Sequence, residues 1–506
     1  MTAENDSIDN YPDNQGLLSR DNIKAYLLTT FGIAIIIALY YILVGPAAAM
    51  QPPGGQPPGG QPSGPPGQSL TPIGGGGIGL QNSWPLWGQL VVPSLLGLGF
   101  GIAVFSIFAL SVTYVYKKEG IRSSIYALVL VGVLLIIATS LIQGWETGIT
   151  QTIGGSSEIF SDMINVNGFI DFISNYEALQ PVLSLHAQTQ PPGAVLFIYS
   201  LYLVLGSPDL IAIGLCIIAA IISSFFMRGI FRHLFDEEHA RYATFLYLIL
   251  PAIQVYYLAN IYAIVATLVL GVLYFHLYSD RRIAAIGTFL CLFLLTFVTF
   301  LSAFMVFFLF IYEILKANSE NETEGIVERL RVTVKSLQYP LILSLCVGVV
   351  YGLLLVTLGF NYVNAFLYAS ALENPNGFML LASPVEYFVT RIQNILDIAI
   401  FFGPVLSVLA YRGFVILQKE ATENSESSKK YNLILASLIA LGLLFLTGAP
   451  KKGETARICM FILPFLLIPV LTYIQRTEMS RRDKAILLLV VFGQAVLLQI
   501  IGLWLW

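Results

Sequence analysis

Runs of about 20 apolar residues recur along almost the whole of this 506-residue chain. A helix of about 20 residues is long enough to cross the roughly 30 Å hydrocarbon core of a bilayer. Hydrophobic residues make up 56% of the chain and charged residues only 11%, less than half the roughly 25% of soluble domains. We therefore predict an all-α polytopic membrane protein with about 11 to 13 transmembrane helices. The net charge of -4 is small and spread thin, so no nucleic-acid partner is expected.

Composition divides the chain into five segments. Residues 1–23 are polar and acidic and predict a disordered cytoplasmic tail. Residues 24–45 predict a retained transmembrane anchor, because the apolar run is longer than the roughly 7 to 15 residues of a signal peptide. Residues 46–88 are rich in Pro and Gly and predict a flexible external linker. The main transmembrane domain is expected over 89–475, followed by a C-terminal transmembrane helix in 476–506.

The order of the spans is open at one short segment. Ala194–Leu205 is apolar but shorter than the roughly 17 residues that a spanning helix needs. If it spans, the basic segment from Arg228 to Arg241 lies outside. If it is re-entrant or a thin, tilted helix, the later basic clusters lie inside, as the positive-inside bias favours. Single spans are expected near residues 241–257 and 391–410, and the run 283–315 fits either one helix or two.

Residues 144–193, here called the outer loop, are the long polar segment between two apolar runs. Long connections are usually functional, so we expect the catalytic face here, on the extracytoplasmic side. Glu158 and Asp162 are four residues apart, which places both carboxylates on one face of a helical turn. They could share a proton, bind a divalent cation such as Mg²⁺ or Mn²⁺, or supply a general base. The alternative is a solvated turn beside the membrane.

The outer loop ends in HAQTQPPG, which contains His186 and Gln190. The His is either a proton donor or a substrate ligand, or it caps the following helix. Pro191 and Pro192 indicate the start of that helix and need no further role.

The segment APKKGETAR, Ala449–Arg457, places Lys451, Lys452 and Glu454 beside an arginine at the mouth of an apolar helix. By alternation of the spans this loop lies outside, where basic residues break the usual bias. A lipid phosphate or pyrophosphate head group would explain them, and Arg457 can bind phosphate through two parallel hydrogen bonds. The alternative is ordinary snorkelling of long side chains to the interface.

Arg391, Asn394 and Asp397 recur every three residues and therefore share one helix face. Charges inside a membrane are costly and mark functional or structural contacts. A substrate contact and an internal Arg–Asp pair that holds helices together are both consistent with this pattern.

Taken in order, these motifs resemble the GT-C superfamily of integral-membrane glycosyltransferases. The resemblance rests on the acidic outer loop, the aromatic stretch followed by His and PPG, NILD at 394–397 before FFGP, and GETAR before ICMFILPFLLIP. It covers roughly residues 120–475, and residues 1–115 have no counterpart.

The resemblance implies a GT-C-like bundle and a multi-pass enzyme of the plasma membrane whose active site faces outside. The implied donor is a polyprenyl-phosphate-linked sugar, and the acceptor is a lipid, a glycan or a protein. Asp162 corresponds to the family's base, with Glu158 or Asp171 as substitutes. Family members often have two acidic residues closer together in sequence than the four positions that separate Glu158 and Asp162. Many relatives carry an Asp near Asn260. The implied reaction is an inverting displacement, with phosphate binding by Arg457 and the neighbouring lysines and sugar orientation by His186 and Gln190.

Two other classes of protein share some of these features. A transporter or flippase for lipid-linked sugars would have similar helices and a basic outer loop, but the chain shows no convincing internal repeat. An O-antigen-type polymerase or ligase would also use lipid-phosphate donors. Such a protein is expected to have a large loop late in the chain, whereas the late loop of this chain, at about residues 361–390, is of modest length.

Overall fold

The computed structural model describes residues 16–43, 89–118, 124–154, 159–278, 281–320, 325–450 and 454–503. Most of the predicted N-terminal tail and all of the predicted Pro/Gly linker lie outside these residues. The described part is almost entirely helical, which confirms the all-α polytopic class. Its strands form one two-residue antiparallel pair, Gln89–Leu90 with Gly502–Leu503.

Eight helices in the described residues are long and apolar enough to cross a membrane. They are Arg20–Leu43, Leu95–Lys118, Ile125–Ser140, Pro208–Leu234, Ala303–Glu320, Gln338–Leu358, Ser425–Leu446 and Arg481–Ile501. Four shorter apolar helices are Gly193–Leu205, Ile261–Leu277, Arg281–Val298 and Leu463–Arg476. The expected total of about 11 to 13 is reached only when the shorter helices are included.

The single span predicted near 391–410 is wrong, because two helices meet there. Pro384–Phe402 and Pro404–Glu420 are bent by 102° at the residue between them. Gly403 has a φ of 107°, which a residue with a side chain rarely adopts. Pro404 follows and has no N–H to continue the hydrogen bonds of the first helix. The bend turns the first helix towards the end of the bundle that carries the outer loop.

The single span predicted near 241–257 is also broken. One helix covers Glu237–Leu248, and a second, Pro251–Tyr256, starts at the proline. Gln254 lies fully buried in this second helix. It donates from Nε2 to the Leu248 carbonyl at 2.7 Å and accepts from the Thr139 hydroxyl at 3.0 Å. The polar side chain therefore satisfies main-chain groups that the break leaves open.

The short segment predicted at 194–205 forms the 13-residue helix Gly193–Leu205, about 20 Å long. The chain reverses at Gly206 and enters the Pro208–Leu234 helix. At the start of that helix, Asp209 accepts a hydrogen bond from the indole of Trp145, in the outer loop, at 3.1 Å. The start of the Pro208–Leu234 helix thus lies beside the first residues of the outer loop. The order of the spans at this short helix stays a prediction with the same alternatives.

The remaining described helices are short and connect the spans. Leu141–Gln143 directly follows the Ile125–Ser140 helix. In the outer loop the short helices are Glu146–Thr150, Gln151–Gly154, Ile159–Asn165, Phe169–Ser174, Tyr176–Leu179, Gln180–Val182 and Leu185–Gln188. Elsewhere they are Phe300–Ser302, Ile326–Ser336, Tyr362–Glu373, Met379–Ala382, Thr455–Ile458 and Met460–Ile462.

The core of the bundle lies between helices that are buried on several sides. Pro208–Leu234 packs on Ile261–Leu277 and Glu237–Leu248, and Pro404–Glu420 packs on Leu463–Arg476. By contrast, the Arg20–Leu43 and Gln338–Leu358 helices expose most of their apolar side chains. Lipid tails are as apolar as these side chains, so this exposure fits a position at the rim of the bundle.

Replacing Gly413 by Ala tests the closest approach between two core helices. An added Cβ would lie 1.8 Å from the carbonyl oxygen of Pro469, a main-chain atom that cannot rotate away. We expect Gly413→Ala to destabilise the purified protein by about 2–3 kcal/mol in thermal unfolding. Gly442→Ala is the control, because nothing lies within 4 Å of its added Cβ. Equal melting temperatures for the two variants would contradict the helix packing described here.

Candidate active site

A pocket at the outer-loop end of the bundle gathers polar side chains from three distant parts of the chain. His186 and Gln190 come from the outer loop. Asn260 and Tyr262 lie at the start of the Ile261–Leu277 helix, and Arg457 lies at the end of the segment Ala449–Arg457, here called the C-terminal loop. Its apolar lining is Ile153, Ile159, Phe160, Ile198, Ala259 and Ile261. The sequence predicted His186, Gln190 and Arg457 as site residues, and the fold brings these three together.

Hydrogen bonds within the outer loop hold His186 and Gln190 at the pocket. The Tyr176 hydroxyl, buried beneath them, donates to the carbonyls of Ala187 and Gln190. The Gln190 side chain donates from Nε2 to the Tyr262 hydroxyl at 2.8 Å. The amide of Gln190 is therefore oriented before any ligand binds, and it links the outer loop to the bundle.

Asp162, the predicted base, lies behind the pocket rather than in its lining. Its carboxylate accepts from the Ser184 main-chain N–H at 2.7 Å and from the Ser184 hydroxyl at 2.5 Å. Only 3% of the residue is exposed. Burial raises the pKa of Asp162, and the two bonds from Ser184 oppose that rise. Ser184 precedes the Leu185–Gln188 turn, so this carboxylate fixes the start of the turn that carries His186.

Asn260 and Tyr262 were not predicted as site residues. Ala259 precedes them with a φ of 62°, an unusual conformation for a residue with a Cβ, and such residues cluster at functional sites. Asn260 caps the helix by accepting from the Tyr262 N–H at 2.9 Å. The sequence signal was an Asn at the beginning of an apolar helix, which is also the ordinary signal of a cap.

Arg457 lies in the four-residue helix Thr455–Ile458, and its side chain is 3% exposed. Its guanidinium donates to the Glu454 carboxylate at 2.6 Å. It also lies over the Tyr262 ring, 5.9 Å from the centroid, a cation–π distance. The buried position excludes free snorkelling of Arg457 to the interface.

The face formed by Arg391, Asn394 and Asp397, here called the clamp, holds the loop that leads to Arg457. Arg391 donates to the carbonyls of Phe445, Gly448, Ala449 and Pro450 at 2.7 to 3.1 Å. Asn394 donates to the Pro450 carbonyl at 3.0 Å, and Asp397 accepts from the Ala456 N–H at 2.7 Å.

The sequence left open whether this helix face contacts a substrate or forms an internal Arg–Asp pair. In the structure its three side chains bind main-chain groups instead. Arg391 and Asn394 bind main-chain carbonyls before residues 451–453, and Asp397 binds a main-chain N–H after them. The polar helix face and the basic loop were predicted as separate groups, and the fold makes them one unit. The clamp therefore supports the position of Arg457 from below the pocket.

His186 is influenced by the charges on the C-terminal loop. Burial and, next, the positive charge of Arg457 lower the pKa of His186 to about 4, while Glu454 acts in the opposite direction. At neutral pH the imidazole is uncharged and able to accept a proton.

Three of the predicted site residues, Glu158, Lys451 and Lys452, lie outside the described residues. Asp171 accepts from the Asn175 side chain at 3.0 Å in an exposed part of the outer loop and is not in the pocket lining. Within the described ranges no three His, Cys, Asp or Glu side chains are grouped as metal ligands.

Arg391→Met tests the clamp. The substitution removes four hydrogen bonds to main-chain carbonyls, so we expect a loss of about 2 kcal/mol of stability in thermal unfolding of the purified protein. Arg391→Lys should recover only part of it, because one ammonium cannot reach all four carbonyls. Arg331→Met, at an exposed arginine, is the matched control. A melting temperature unchanged in Arg391→Met would contradict the clamp.

Arg457→Gln tests the electrostatic coupling between the two loops. Removing the positive charge eliminates one cause of the depressed pKa and leaves the charge of Glu454, so the pKa of His186 should rise from about 4 towards its ordinary value. The rate of diethyl pyrocarbonate modification measures this, because only neutral imidazole reacts. The midpoint pH of the modification that His186→Gln abolishes should move upwards. The same midpoint in Arg457→Gln and wild type would contradict the coupling.

No family model matches the chain, and no curated protein matches it. Solved structures that are similar to it include the crystal structure of the Archaeoglobus fulgidus oligosaccharyltransferase with Zn and sulfate. That protein is 13% identical with a TM-score of 0.47, over 74% of this chain and 53% of that chain. The same archaeal enzyme, AglB, bound to an inhibitory peptide and a dolichol-phosphate, matches at 13% identity and a TM-score of 0.46, over 75% and 56%. This chain thus spans just over half the length of the structures it matches.

Proposed function

We propose that this protein is a membrane glycosyltransferase that moves a sugar from a polyprenyl-phosphate-linked donor to a lipid, glycan or protein acceptor. The observation that carries the proposal is the convergence of His186, Gln190 and Arg457 on one pocket, although more than 260 positions separate the two loops. The pocket combines a cation for phosphate, an amide for sugar hydroxyls and a neutral imidazole.

The pocket faces the extracytoplasmic side in this proposal. The opposite end of the bundle carries a dense set of basic side chains, linked through Glu237, Glu238 and Glu420 to one another and to neighbouring helices. They include Arg228, Arg232, Arg241, Lys429, Lys430, Arg476 and Lys484. Because basic residues favour the cytoplasmic side, the outer loop and Arg457 are proposed to face the extracytoplasmic side. The membrane is proposed to be the plasma membrane.

Arg457 is proposed to bind the phosphate of the donor. A guanidinium has five N–H donors, so it can keep its bond to Glu454 and still donate to phosphate oxygens. The leaving polyprenyl phosphate needs charge stabilisation rather than a proton, and a buried, oriented cation supplies it. Lys451 and Lys452 precede Arg457 in the same sequence segment and are proposed to add positive charge for the donor phosphate.

The proton of the acceptor hydroxyl is proposed to pass to His186. The acceptor oxygen forms a bond to the anomeric carbon, and the bond from that carbon to the phosphate oxygen breaks. The phosphate keeps the electron pair, and the imidazole takes the proton. A bound phosphate would offset the charge of Arg457, which raises the pKa of His186 during the step. A single displacement of this kind inverts the configuration.

Asp162 receives a positioning role, because both of its carboxylate oxygens accept hydrogen bonds from Ser184. The same engagement leaves it a poor ligand for the Mg²⁺ or Mn²⁺ that the Glu158 and Asp162 spacing predicts. No step of the proposed mechanism uses a metal ion.

Turnover of lipid-linked sugars by the purified protein tests the proposal. A panel of polyprenyl-phosphate hexoses in nanodiscs should yield free polyprenyl phosphate and a glycosylated product in the presence of membrane-extracted acceptors. Arg457→Gln should lower kcat/KM by about 10²–10³-fold and His186→Gln by about 10²-fold. His239→Gln, at the opposite end of the bundle, should match wild type. No turnover of any donor, or equal turnover in all four proteins, would refute the proposal.

A further inference from the structure

A second cavity, of about 420 Å³, lies at the other end of the Pro208–Leu234 helix. Its lining residues on this helix are 17 or more positions from Pro208, which places the cavity about 30 Å from the end that carries the outer loop. Its lining consists of Phe225, Arg228, Gly229, Arg232, His233, Tyr274 and Tyr278. Nothing in the proposed glycosyl transfer uses these residues.

The cavity has an excess of positive charge. Arg228, Arg232 and Arg241 all point at one carboxylate, that of Glu237, at 2.8, 3.6 and 3.3 Å. One negative charge therefore serves three guanidinium groups. Arg228 and Arg232 keep 38% and 67% of their side chains exposed, so their outward N–H groups remain accessible. Lys429 adds to the same wall through its contact with His233.

An apolar stripe leads along the helix to these arginines. Ile217, Ile221 and Phe225 are 37%, 52% and 61% exposed and are spaced four residues apart. Arg228 follows Phe225 by three residues and Arg232 follows Arg228 by four, so all five side chains lie on one face of the helix. A hydrocarbon tail on the stripe would end with its head group at the guanidinium groups.

Aromatic side chains close the other side of the cavity at the same depth. The rings of Tyr274 and Tyr278 are 4.7 Å apart, and Tyr274 also contacts Phe225 at 5.5 Å. Tyrosines of this kind are typical of the membrane–water interface, where one end is apolar and the other end is hydrated. The cavity therefore combines a cationic head-group wall, an interfacial aromatic wall and an apolar track.

We propose that this cavity binds the phosphate head group of an acidic phospholipid from the cytoplasmic leaflet, with one acyl chain along Ile217, Ile221 and Phe225. Arg228 and Arg232 donate to the phosphate oxygens, and their fork geometry allows two parallel bonds each. The continuous apolar stripe favours a lipid over a free phosphate. This site is independent of the glycosyl-transfer pocket.

Binding of phosphatidylglycerol to the purified full chain, measured by native mass spectrometry in detergent, tests the site. Phosphatidylcholine of the same chain length reports non-specific lipid adhesion, and inorganic phosphate reports a bare anion site. We expect phosphatidylglycerol to bind in preference to both. Arg228→Gln with Arg232→Gln should weaken its binding about 30-fold, and Arg232→Gln alone about 5-fold.

Arg331→Gln is the matched control, because this exposed arginine lies on a connecting helix at the same end of the bundle. The single Arg232→Gln variant keeps the bond from Arg228 to Glu237, so it separates lipid binding from folding. Equal phosphatidylglycerol affinity in wild type and both cavity variants would overturn the proposal. Equal binding of phosphatidylcholine, or displacement of the lipid by millimolar inorganic phosphate, would also overturn it.

Discussion

The hydrogen bonds from the clamp to the main chain of residues 445–456 are the interaction on which the site depends. Inside a bilayer, main-chain groups that no helix satisfies must find partners within the protein. The chain leaves helical geometry where the Ser425–Leu446 helix ends, and Arg391 donates to four carbonyls there. Asn394 and Asp397 extend the same support to Pro450 and Ala456.

That support has a consequence for chemistry. An arginine in a low-dielectric pocket binds phosphate strongly only if its position is fixed before the ligand arrives. The clamp holds the loop, Glu454 holds the guanidinium, and the Tyr262 ring limits its movement. On the opposite wall, Tyr176 and Asp162 hold the turn of His186 in a comparable way. Two segments remote in sequence thereby form one rigid and electrostatically coupled pocket.

The sequence predicted the fold class from the apolar runs, and it predicted most spans because hydropathy is a direct consequence of the bilayer. It failed where a span is broken. Gly403 with Pro404 and Leu250 with Pro251 lie inside continuous apolar runs, so composition alone did not separate the helices. The dipeptides carried the signal, since proline cannot continue the hydrogen bonds of a helix.

The site was predictable in part for a similar reason. His186, Gln190 and Arg457 stood out because polar groups at a membrane edge are costly. The contact between Asp162 and Ser184 was not predictable, because the two residues are 22 positions apart and nothing in their spacing indicates it. The clamp was visible as one helix face, but its target was not, since main-chain acceptors leave no mark in a sequence. Tyr262 was missed because a tyrosine in an apolar helix is usually a packing residue.

The most direct measurement is a structure of the protein in nanodiscs, determined by cryo-electron microscopy with a phosphonate analogue of a polyprenyl-phosphate sugar. The account predicts phosphonate oxygens within hydrogen-bonding distance of the Arg457 guanidinium, with the sugar beside His186 and Gln190. Density for the head group elsewhere in the bundle, with this pocket closed to it, would contradict the account.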